Sequence, residues 1–323
     1  MQSLEGKNVL VTGGAGFIGS HLCDRLLIEP INKLIAVDNL YLGKRENLNE
    51  AYLHENFKFV KADITDYDQL EKIILDNDIN LIYHLAVIPL EVSIEKPVWC
   101  FDQNILMTQN ILEIIRRNNK NISLISYSTS EVYGSASYTP MDEQHPFHSH
   151  TPYAASKAAS DLLIYSYSQT FDLDFLIIRP FNNYGPRQNE GNYAGIIPIT
   201  IKRIMNDEKP VIYDDGKQTR DFIYVVDTAH WTVEASKCKS AFGKTINMAS
   251  GKQVSVEYVI DSICKELNYK GPIKYRPKRP GDVNVHEGDM KLAEKLFNFK
   301  NMISFDDGIR KTIKWYHENL IID

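Results

Sequence analysis

A glycine-rich turn between the first strand and the first helix is the feature that most constrains the fold of this chain. The apolar run NVLVTGG leads into Gly13, Gly16 and Gly19 and then into the helical segment FIGSHLCDRLLIE. Glycines at this spacing let the backbone turn tightly and approach a pyrophosphate, whose charge lies against the helix N-terminus. Asp38 ends the next strand, nineteen residues after Gly19. A carboxylate there can accept hydrogen bonds from both ribose hydroxyls of NAD and would repel the extra phosphate of NADP, so the pattern predicts an NAD site.

Short apolar runs alternate with amphipathic segments over the first half of the chain. The apolar runs that read as strands are KNVLVTGG, LIAVDNL, FKFVKAD, INLIYHLA, SLISYSTS and FLIIRPF. Continuous apolar strands separated by helices are typical of a parallel sheet that is covered on both faces. The sequence therefore predicts an α/β protein with a doubly wound parallel (Rossmann) sheet.

The amino-acid composition changes after Pro180, where proline, glycine, asparagine and arginine become frequent. This change predicts a dinucleotide-binding domain over residues 1–179 and a second, smaller substrate-binding lobe over residues 180–323. Two later segments, RDFIYVVD and KTINMAS, look like strands. We expect residues 221–250 to return to the main sheet, so that the second lobe does not simply follow the first along the chain.

Composition limits the classes of function. The net charge of -6 argues against general nucleic-acid binding, which requires a basic surface. The four cysteines are widely scattered and form no CxxC pair, so neither a metal site nor a disulfide framework is expected. The N-terminus runs directly into a strand, and no apolar stretch approaches the length of a membrane span. We expect a cytoplasmic protein with no membrane partner.

A tyrosine and a lysine lie one helical turn apart in the segment TPYAASKAASDLL. Tyr153 and Lys157 are four residues apart, so both side chains point the same way from the start of a helix. A free tyrosine, with a pKa of about 10, is a poor base at neutral pH. A neighbouring ammonium favours the phenolate, which can take a proton from a sugar hydroxyl while hydride leaves for nicotinamide. By itself this spacing is common, and a surface Tyr/Lys pair on a helix is its usual explanation.

The strand SLISYSTS ends in a cluster of hydroxyl and carboxyl side chains. Ser128, Thr129, Ser130 and Glu131 follow one another there, and ligands of parallel α/β sheets bind beyond the carboxyl ends of the strands. The hydroxyls could hold a substrate and share its 4-hydroxyl with Tyr153. Glu131, if it faces a closed pocket, is a candidate general base; a solvated loop acid is the alternative.

Taken in order, these motifs resemble those of the extended short-chain dehydrogenase/reductase family, and within it the nucleotide-sugar epimerases, dehydratases and decarboxylases. The matching motifs are GGAGFIGSH at 13–21, DNL at 38–40, ADITD at 62–66, YHLA at 83–86, STSEVYG at 128–134, YAASK at 153–157, RPFNNYGPRQ at 179–188 and QTRDFIYVVD at 218–227. They extend over nearly the whole chain. The resemblance implies an NAD-dependent enzyme that remodels the hexose of a nucleotide sugar.

The resemblance also implies roles for individual residues. Those expected at the cofactor are Gly13, Gly16, Phe17, Ile18, Gly19, Asp38, Asn39, Asp63, Ile64, Ala86, Tyr153 and Lys157. Asp63 and Ala86 would line the adenosine side. Thr129, Tyr153 and Lys157 would form the redox triad. Those expected at the substrate are Ser130, Asn182, Arg187, Arg220 and Arg279, and guanidinium groups suit phosphate oxygens.

Members of the family all begin by oxidising C4 of the sugar, and a few residues decide the later steps. A 4,6-dehydratase needs a base for the acidified C5 proton, and Glu131 lies where family dehydratases keep it. The Thr129–Glu131–Tyr153 spacing is similar to that of GDP-mannose 4,6-dehydratases. The segment from 129 to 157 also resembles that of dehydratases acting on GDP-linked N-acetylglucosamine. The sequence therefore favours a 4,6-dehydratase that makes a 4-keto-6-deoxy sugar for glycan synthesis.

Other outcomes stay open. Ser130 stands where dTDP-glucose dehydratases carry an aspartate, so the group that protonates the leaving 6-hydroxyl is in doubt. A UDP-glucuronate decarboxylase has a similar STSEVYG string, and a 4-epimerase needs no C5 base. A dinucleotide-sensing scaffold is the non-enzymatic alternative, although the glycine loop and the Tyr/Lys pair are both intact.

The predicted helices NILMTQNILEIIRRN and YAASKAASDLLIYSYSQTF resemble the pair that forms a four-helix dimer interface in this family. Leu162, Leu163, Tyr165 and Tyr167 would supply apolar contacts. Packing on the sheet is the alternative for some of these side chains. The resemblance therefore implies a homodimer whose small-molecule partner is a nucleotide sugar.

Overall fold

Strands and helices alternate along the first half of the chain, as the sequence predicts. The computed structural model describes residues 3–118, 121–189, 195–277 and 285–319. The strands are β1 (Asn8–Thr12), β2 (Lys33–Asp38), β3 (Phe57–Lys61), β4 (Leu81–His84), β5 (Ser123–Tyr127), β6 (Phe175–Pro180), β7 (Asn182–Tyr184), β8 (Val211–Tyr213), β9 (Thr219–Tyr224), β10 (Lys244–Met248), β11 (Gln253–Ser255) and β12 (Lys274–Arg276). The helices are α1 (Phe17–Leu27), α2 (Tyr67–Asp76), α3 (Leu90–Glu95), α4 (Pro97–Arg117), α5 (Pro152–Phe171), α6 (Ile196–Met205), α7 (Val225–Ser236), α8 (Val256–Glu266), α9 (Lys291–Phe297) and α10 (Phe305–Asn319).

The central sheet has seven parallel strands in the order β10-β6-β5-β4-β1-β2-β3. The chain order reverses beside β1, where β2 lies on one side and β4 on the other. This topological switch point is where doubly wound sheets bind ligands, beyond the carboxyl ends of the strands. The predicted fold class is confirmed.

Both faces of this sheet are buried, because side chains of each strand point alternately to its two faces. In β1, Val9 and Val11 belong to the core beneath α1, α7 and α9, whereas Leu10 belongs to the core beneath α2, α4 and α5. The same alternation recurs in β2, β4, β5 and β6. It explains why these strands read as continuous apolar runs.

A second lobe is built from the later part of the chain. Its three-stranded sheet has the order β11-β9-β7, and β8 pairs with β12 in a separate ladder. Helices α6, α8 and α10 cover a core of their own, to which each contributes isoleucines, as at Ile201, Ile263 and Ile313. This lobe faces the carboxyl edge of the central sheet through β7, which follows directly on β6.

One of the two segments expected to return to the main sheet does so, and the other does not. KTINM forms β10, which pairs with β6 at the edge of the central sheet. TRDFIY forms β9, which pairs with β7 instead, and its Phe222 and Tyr224 pack with Tyr184 in the core of the second lobe. Apolar content alone could not distinguish these two destinations. The helix after β9, α7, packs against α1 on the first lobe.

Candidate active site

The carboxyl ends of the central strands surround a cavity of about 480 Å³. Most residues that the sequence singles out line it. They are Gly13, Gly16, Phe17, Ile18, Gly19, Asp38, Asn39, Asp63, Ile64, Ala86, Thr129, Ser130, Glu131, Tyr153, Lys157, Asn182 and Arg187. Loops after β1, β2, β3, β4, β5 and β6 therefore bring distant parts of the chain to one place.

The glycine loop makes close approaches that other residues would block. Gly13 has a φ of +69°, and a Cβ on it would lie 2.7 Å from the backbone nitrogen of Ala86. A Cβ on Gly19 would collide with the carbonyl oxygen of Gly13. Gly16 caps α1, whose first turn carries no acidic side chain, so the positive end of the helix is left for an anion. The loop fits a dinucleotide pyrophosphate.

Asp38 is held at the end of β2 by backbone amides. Its Oδ2 accepts a hydrogen bond from the Ala15 nitrogen at 3.1 Å, and its Oδ1 accepts one from the Leu40 nitrogen at 2.8 Å. Burial raises the pKa of this carboxyl, and the two backbone bonds oppose that shift. Nearby, the Asn39 amide donates to Asp63 Oδ2 at 3.1 Å. These carboxylates fit the ribose and adenosine end of NAD.

Tyr153 and Lys157 lie in the first turns of α5, and the local sequence fixes where this helix starts. Thr151 caps the helix by accepting a hydrogen bond from the Ala154 nitrogen at 3.1 Å, and Pro152 takes its first position. Burial raises the pKa of the Tyr153 hydroxyl, a hydrogen bond with Thr129 opposes that shift, and the charges of Glu131 and Glu91 add to it. Thr129, Glu131 and Tyr153 are thus within interaction distance of one another.

Lys157 lies one turn further along α5 and is 4% exposed. Burial lowers its pKa to about 8, and the charge of Asp161 opposes this shift. At neutral pH the side chain therefore remains largely an ammonium. It is the described cation nearest to Tyr153 along α5 and can favour the phenolate.

A chain of buried neutral polar groups lies behind Lys157. His84 Nδ1 is 2.9 Å from the hydroxyl of Thr12, and its Nε2 is 3.3 Å from that of Thr108, which donates to Ser160 at 3.2 Å. Burial, together with the charge of Lys157, lowers the pKa of His84 to about 3. The imidazole is therefore neutral. The hydrogen-bond network connects β1, β4, α4 and α5.

The predicted substrate residues divide between two adjoining cavities. Arg220 lines a second cavity of about 310 Å³, which shares Glu91, Asn182 and Gln188 with the first. Arg187 lines the first cavity, where its Nη1 lies 2.6 Å from Asp24 Oδ2 on α1. The predicted residue Arg279 lies outside the described residues.

Three side-chain amides at the junction of these cavities carry buried oxygens that need a partner. Among the described residues, no hydrogen bond reaches Asn182 Oδ1, Asn183 Oδ1 or Gln188 Oε1. Buried polar atoms are normally paired, and all three residues line the cavities, so these amides are candidates for contact with a polar ligand. Sequence reasoning singled out Asn182 but missed Asn183 and Gln188, although all three lie in RPFNNYGPRQ.

The described residues contain no cluster of His, Cys, Asp or Glu that could hold a metal ion. Within the same ranges, no helix is long and apolar enough to cross a membrane.

Comparisons with known proteins agree with this geometry. The sequence model of the family described as GDP-mannose 4,6 dehydratase matches residues 10–312. The UDP-glucose 4-epimerase of Mycolicibacterium smegmatis is 31% identical over 308 residues, covering 95% of this chain and 97% of that protein.

Solved structures give the same result. The UDP-N-acetylglucosamine 4-epimerase of Methanobrevibacter ruminantium M1, in complex with UDP-N-acetylmuramic acid, superposes with a TM-score of 0.90 at 36% identity. That match covers 98% of this chain and 100% of the other. The dTDP-glucose 4,6-dehydratase of Bacillus anthracis, in complex with NAD, gives a TM-score of 0.87 at 28% identity and covers 97% of each chain.

The glycine loop fits a dinucleotide, and NAD-bound neighbours share the whole fold, so the prediction of NAD as the cofactor of this family is confirmed. These relatives are named as epimerases, dehydratases and a decarboxylase of nucleotide sugars, which places the chain in the family without deciding between the reactions. The chain belongs to the extended short-chain dehydrogenase/reductase family of NAD-dependent nucleotide-sugar epimerases and dehydratases.

Proposed function

We propose that this chain is an NAD-dependent 4,6-dehydratase that converts a nucleotide-linked neutral hexose into its 4-keto-6-deoxy derivative. GDP- or UDP-linked N-acetylglucosamine is the first candidate substrate. The observation that carries the proposal is the position of Glu131. It lines the cavity that holds Tyr153 and Lys157, and its charge acts on the Tyr153 hydroxyl. A carboxylate at this place is suited to removing a proton from the sugar.

The residues around the first cavity divide into a cofactor end and a sugar end. The pyrophosphate would lie against the close-packed loop of Gly13, Gly16 and Gly19. The adenosine ribose would be bound by Asp38, whose carboxylate is held by two backbone amides. Bound NAD would supply the hydride acceptor at C4 and the hydride donor at C6. The nucleotide of the substrate would extend past Asn182 into the second cavity, toward Arg220.

Tyr153 is the group proposed to take the proton of the sugar 4-hydroxyl. Burial raises its pKa, so in the protein alone it holds its proton at neutral pH. The Lys157 ammonium is the chain's own means of favouring the phenolate, and Thr129 shares the hydrogen bond of the tyrosine oxygen. Together they keep one proton-accepting oxygen aimed at C4.

Glu131 is the group proposed to act at C5 once C4 carries a ketone. It takes the C5 proton, the C6–oxygen bond breaks, and the hydroxyl leaves as water after receiving a proton. Ser130 is a poor acid, so Glu131 is expected to deliver that proton itself. Hydride then returns to C6, and C5 receives a proton from solvent, which completes the 4-keto-6-deoxy sugar.

The test is an incubation of the purified protein with NAD and, separately, GDP-N-acetylglucosamine, UDP-N-acetylglucosamine, GDP-mannose, dTDP-glucose and UDP-glucuronate, read by mass spectrometry. Loss of 18 mass units, one water, from a neutral hexose is the expected result and also identifies the nucleotide. Loss of 44 units, one carbon dioxide, from UDP-glucuronate would instead establish a decarboxylase.

A 4-epimerase is the second candidate, and the relatives favour it. The M. smegmatis and M. ruminantium proteins, at 31% and 36% identity, are both named as 4-epimerases. That reaction uses Tyr153 in the same way but needs no base at C5, so Glu131 would have no chemical role. Unchanged mass with inverted C4 stereochemistry in the NMR spectrum would establish it.

A homodimer is proposed from the exposed face of α4 and α5, which pack against each other. Leu162 is 63% exposed and Tyr165 is 55% exposed, whereas Leu163 and Tyr167 pack partly on the core beneath these helices. Leu106, Phe101 and Trp99 extend the apolar face along α4. Light scattering of the purified protein should give a dimer and Leu162→Glu a monomer; a monomeric parent protein would contradict the proposal.

A further inference from the structure

A buried carboxylate that the mechanism does not use lies one turn beyond Lys157 on α5. Asp161 is 5% exposed, and its Oδ2 accepts two hydrogen bonds of 2.7 Å, from Ser128 Oγ and from Arg179 Nη2. Arg179, on β6, is 2% exposed. Leaving either charge alone would be strongly destabilising, because a buried ion without its partner loses its solvation uncompensated.

The environment of Arg179 fixes this pair tightly. Its Nη1 donates to the Tyr133 hydroxyl at 2.7 Å, and that hydroxyl donates to Asn247 on β10 at 2.8 Å. The guanidinium carbon also lies 4.8 Å from the centre of the Tyr133 ring and 5.0 Å from that of Phe147. Asp161 therefore lies in a frame built from four separate segments of the chain.

Two features of this frame reach the proton-transfer residues. Ser128, which donates to Asp161, directly precedes Thr129, the hydrogen-bond partner of Tyr153. In addition, Tyr153, Lys157 and Asp161 are spaced at four-residue intervals and share one face of α5. The charge of Asp161 favours the ammonium form of Lys157 against the effect of burial.

We propose that Asp161 is a positioning residue of the proton-transfer site, in which one buried carboxylate orients the Thr129 loop through Ser128 and holds the Lys157 ammonium across one turn of α5. Arg179 supplies the countercharge of this carboxylate at 2.7 Å. The inference rests on the proposed role of Tyr153 and Lys157. It does not depend on whether the reaction is dehydration or epimerisation, since both begin at C4.

The test separates this role from a merely structural ion pair. Asp161→Asn removes the charge and keeps the shape, whereas the double change Asp161→Leu with Arg179→Met replaces the pair by apolar side chains of similar size. Such replacements often restore or raise stability. The double variant therefore remains informative if Asp161→Asn fails to fold.

The first readout is the titration of Lys157, followed by NMR of the protein without cofactor, with the Lys157→Met variant used to assign the signal. We expect the midpoint to fall by about one pH unit in Asp161→Asn, because the anion that favours the ammonium is gone, and to fall less in the double variant, which also removes the Arg179 cation. Glu234→Gln, which breaks the Arg25–Glu234 pair between α1 and α7, is the matched control and should leave Lys157 unchanged.

The second readout is turnover of the substrate identified by mass spectrometry. Asp161→Asn and the double variant should both lower kcat at least thirtyfold with KM nearly unchanged. An unchanged Lys157 titration, or a double variant that regains full stability and full kcat, would overturn the proposal. Failure of the dehydratase assignment would be visible separately, in the products of the parent protein.

Discussion

The two ends of the active-site cavity are built in different ways. At the cofactor end, the glycine loop and Asp38 come from the first forty residues, and backbone amides hold the carboxylate at 2.8 and 3.1 Å. At the sugar end, the functional groups come from the loop after β5, from α5 and from the segment around Asn182. Amide oxygens there have no hydrogen-bond partner among the described residues. The Asp38 carboxylate at the cofactor end is held by the fold itself, whereas amide oxygens at the sugar end lack partners among the described residues.

This contrast explains why relatives with different reactions share one fold. Under the proposed mechanism, the cofactor end serves the first step, the oxidation at C4, and the sugar end decides the step that follows. Variants at the sugar end should therefore change the reaction, whereas variants at the cofactor end should change affinity.

The largest effect is expected from Tyr153→Phe, which removes the proton acceptor for the 4-hydroxyl. General-base contributions are roughly 10²–10⁴-fold, so we expect kcat to fall by about 10³-fold. NAD binding, followed by calorimetry, should change little, because Asp38 and the glycine loop are untouched. Retention of more than a tenth of the parent activity would show that another group takes this proton.

Glu131→Gln is expected to have the next largest effect. It should slow the elimination step by about 10²-fold or more. The first oxidation should survive, so absorbance of the reduced cofactor should accumulate when substrate is added. Glu95→Gln is a suitable control, because Glu95 lies on the exposed side of α3 and lines neither cavity. Normal turnover by Glu131→Gln would remove the main support for a dehydratase.

Lys157→Met tests how much free energy of folding is lost by burying the Lys157 ammonium, the cation proposed to favour the Tyr153 phenolate. The pKa of Lys157 is lowered from 10.5 to about 8, so below pH 8 both states are protonated and the folded state carries the full burial cost. The folded state binds fewer protons between pH 8 and 10.5, so this cost is relieved as pH rises and is absent above 10.5.

The variant without cofactor should therefore be about 2–3 kcal/mol more stable than the parent at pH 7, and the difference should vanish near pH 10.5. Urea unfolding at a series of pH values measures it. Lys72→Met, at an exposed position on α2, should show no such pH-dependent gain. A gain for Lys157→Met that is constant with pH would contradict the burial argument.

The smallest effect is expected at the cofactor end. Asp38→Ala should weaken NAD binding about tenfold, through loss of hydrogen bonds worth roughly 1.5 kcal/mol, and should narrow the preference for NAD over NADP. Asp63→Asn should change affinity less, since Asp63 is the more exposed of the two carboxylates. Titration calorimetry with both cofactors distinguishes these results. Equal effects of the two substitutions would show that the cofactor end is less specific than its geometry indicates.

The sequence carries more information about the cofactor end than about the sugar end, for a physical reason. The glycine loop and Asp38 act through local backbone geometry, so their spacing along the chain carries the information. Asp161 acts through contacts between distant segments, such as the 2.7 Å bond from Arg179 to Asp161. No local pattern specifies such contacts.

The same limit explains the strand β9. Its apolar pattern predicted a strand correctly, but its pairing with β7 depends on side chains such as Phe222 meeting Tyr184 in another lobe. The helix α4 also begins earlier than the apolar pattern indicates, at Pro97, because proline suits the first position of a helix.

Turnover of a nucleotide-linked neutral hexose in D₂O tests most directly whether Glu131 acts as the base of an elimination reaction. A dehydratase removes the C5 proton and returns one from solvent, so we expect a product with a C6 methyl group and deuterium at C5, and no such product from Glu131→Gln. A product that keeps its C6 hydroxyl and its original hydrogen at C5, with C4 inverted, would contradict the dehydratase proposal and identify a 4-epimerase.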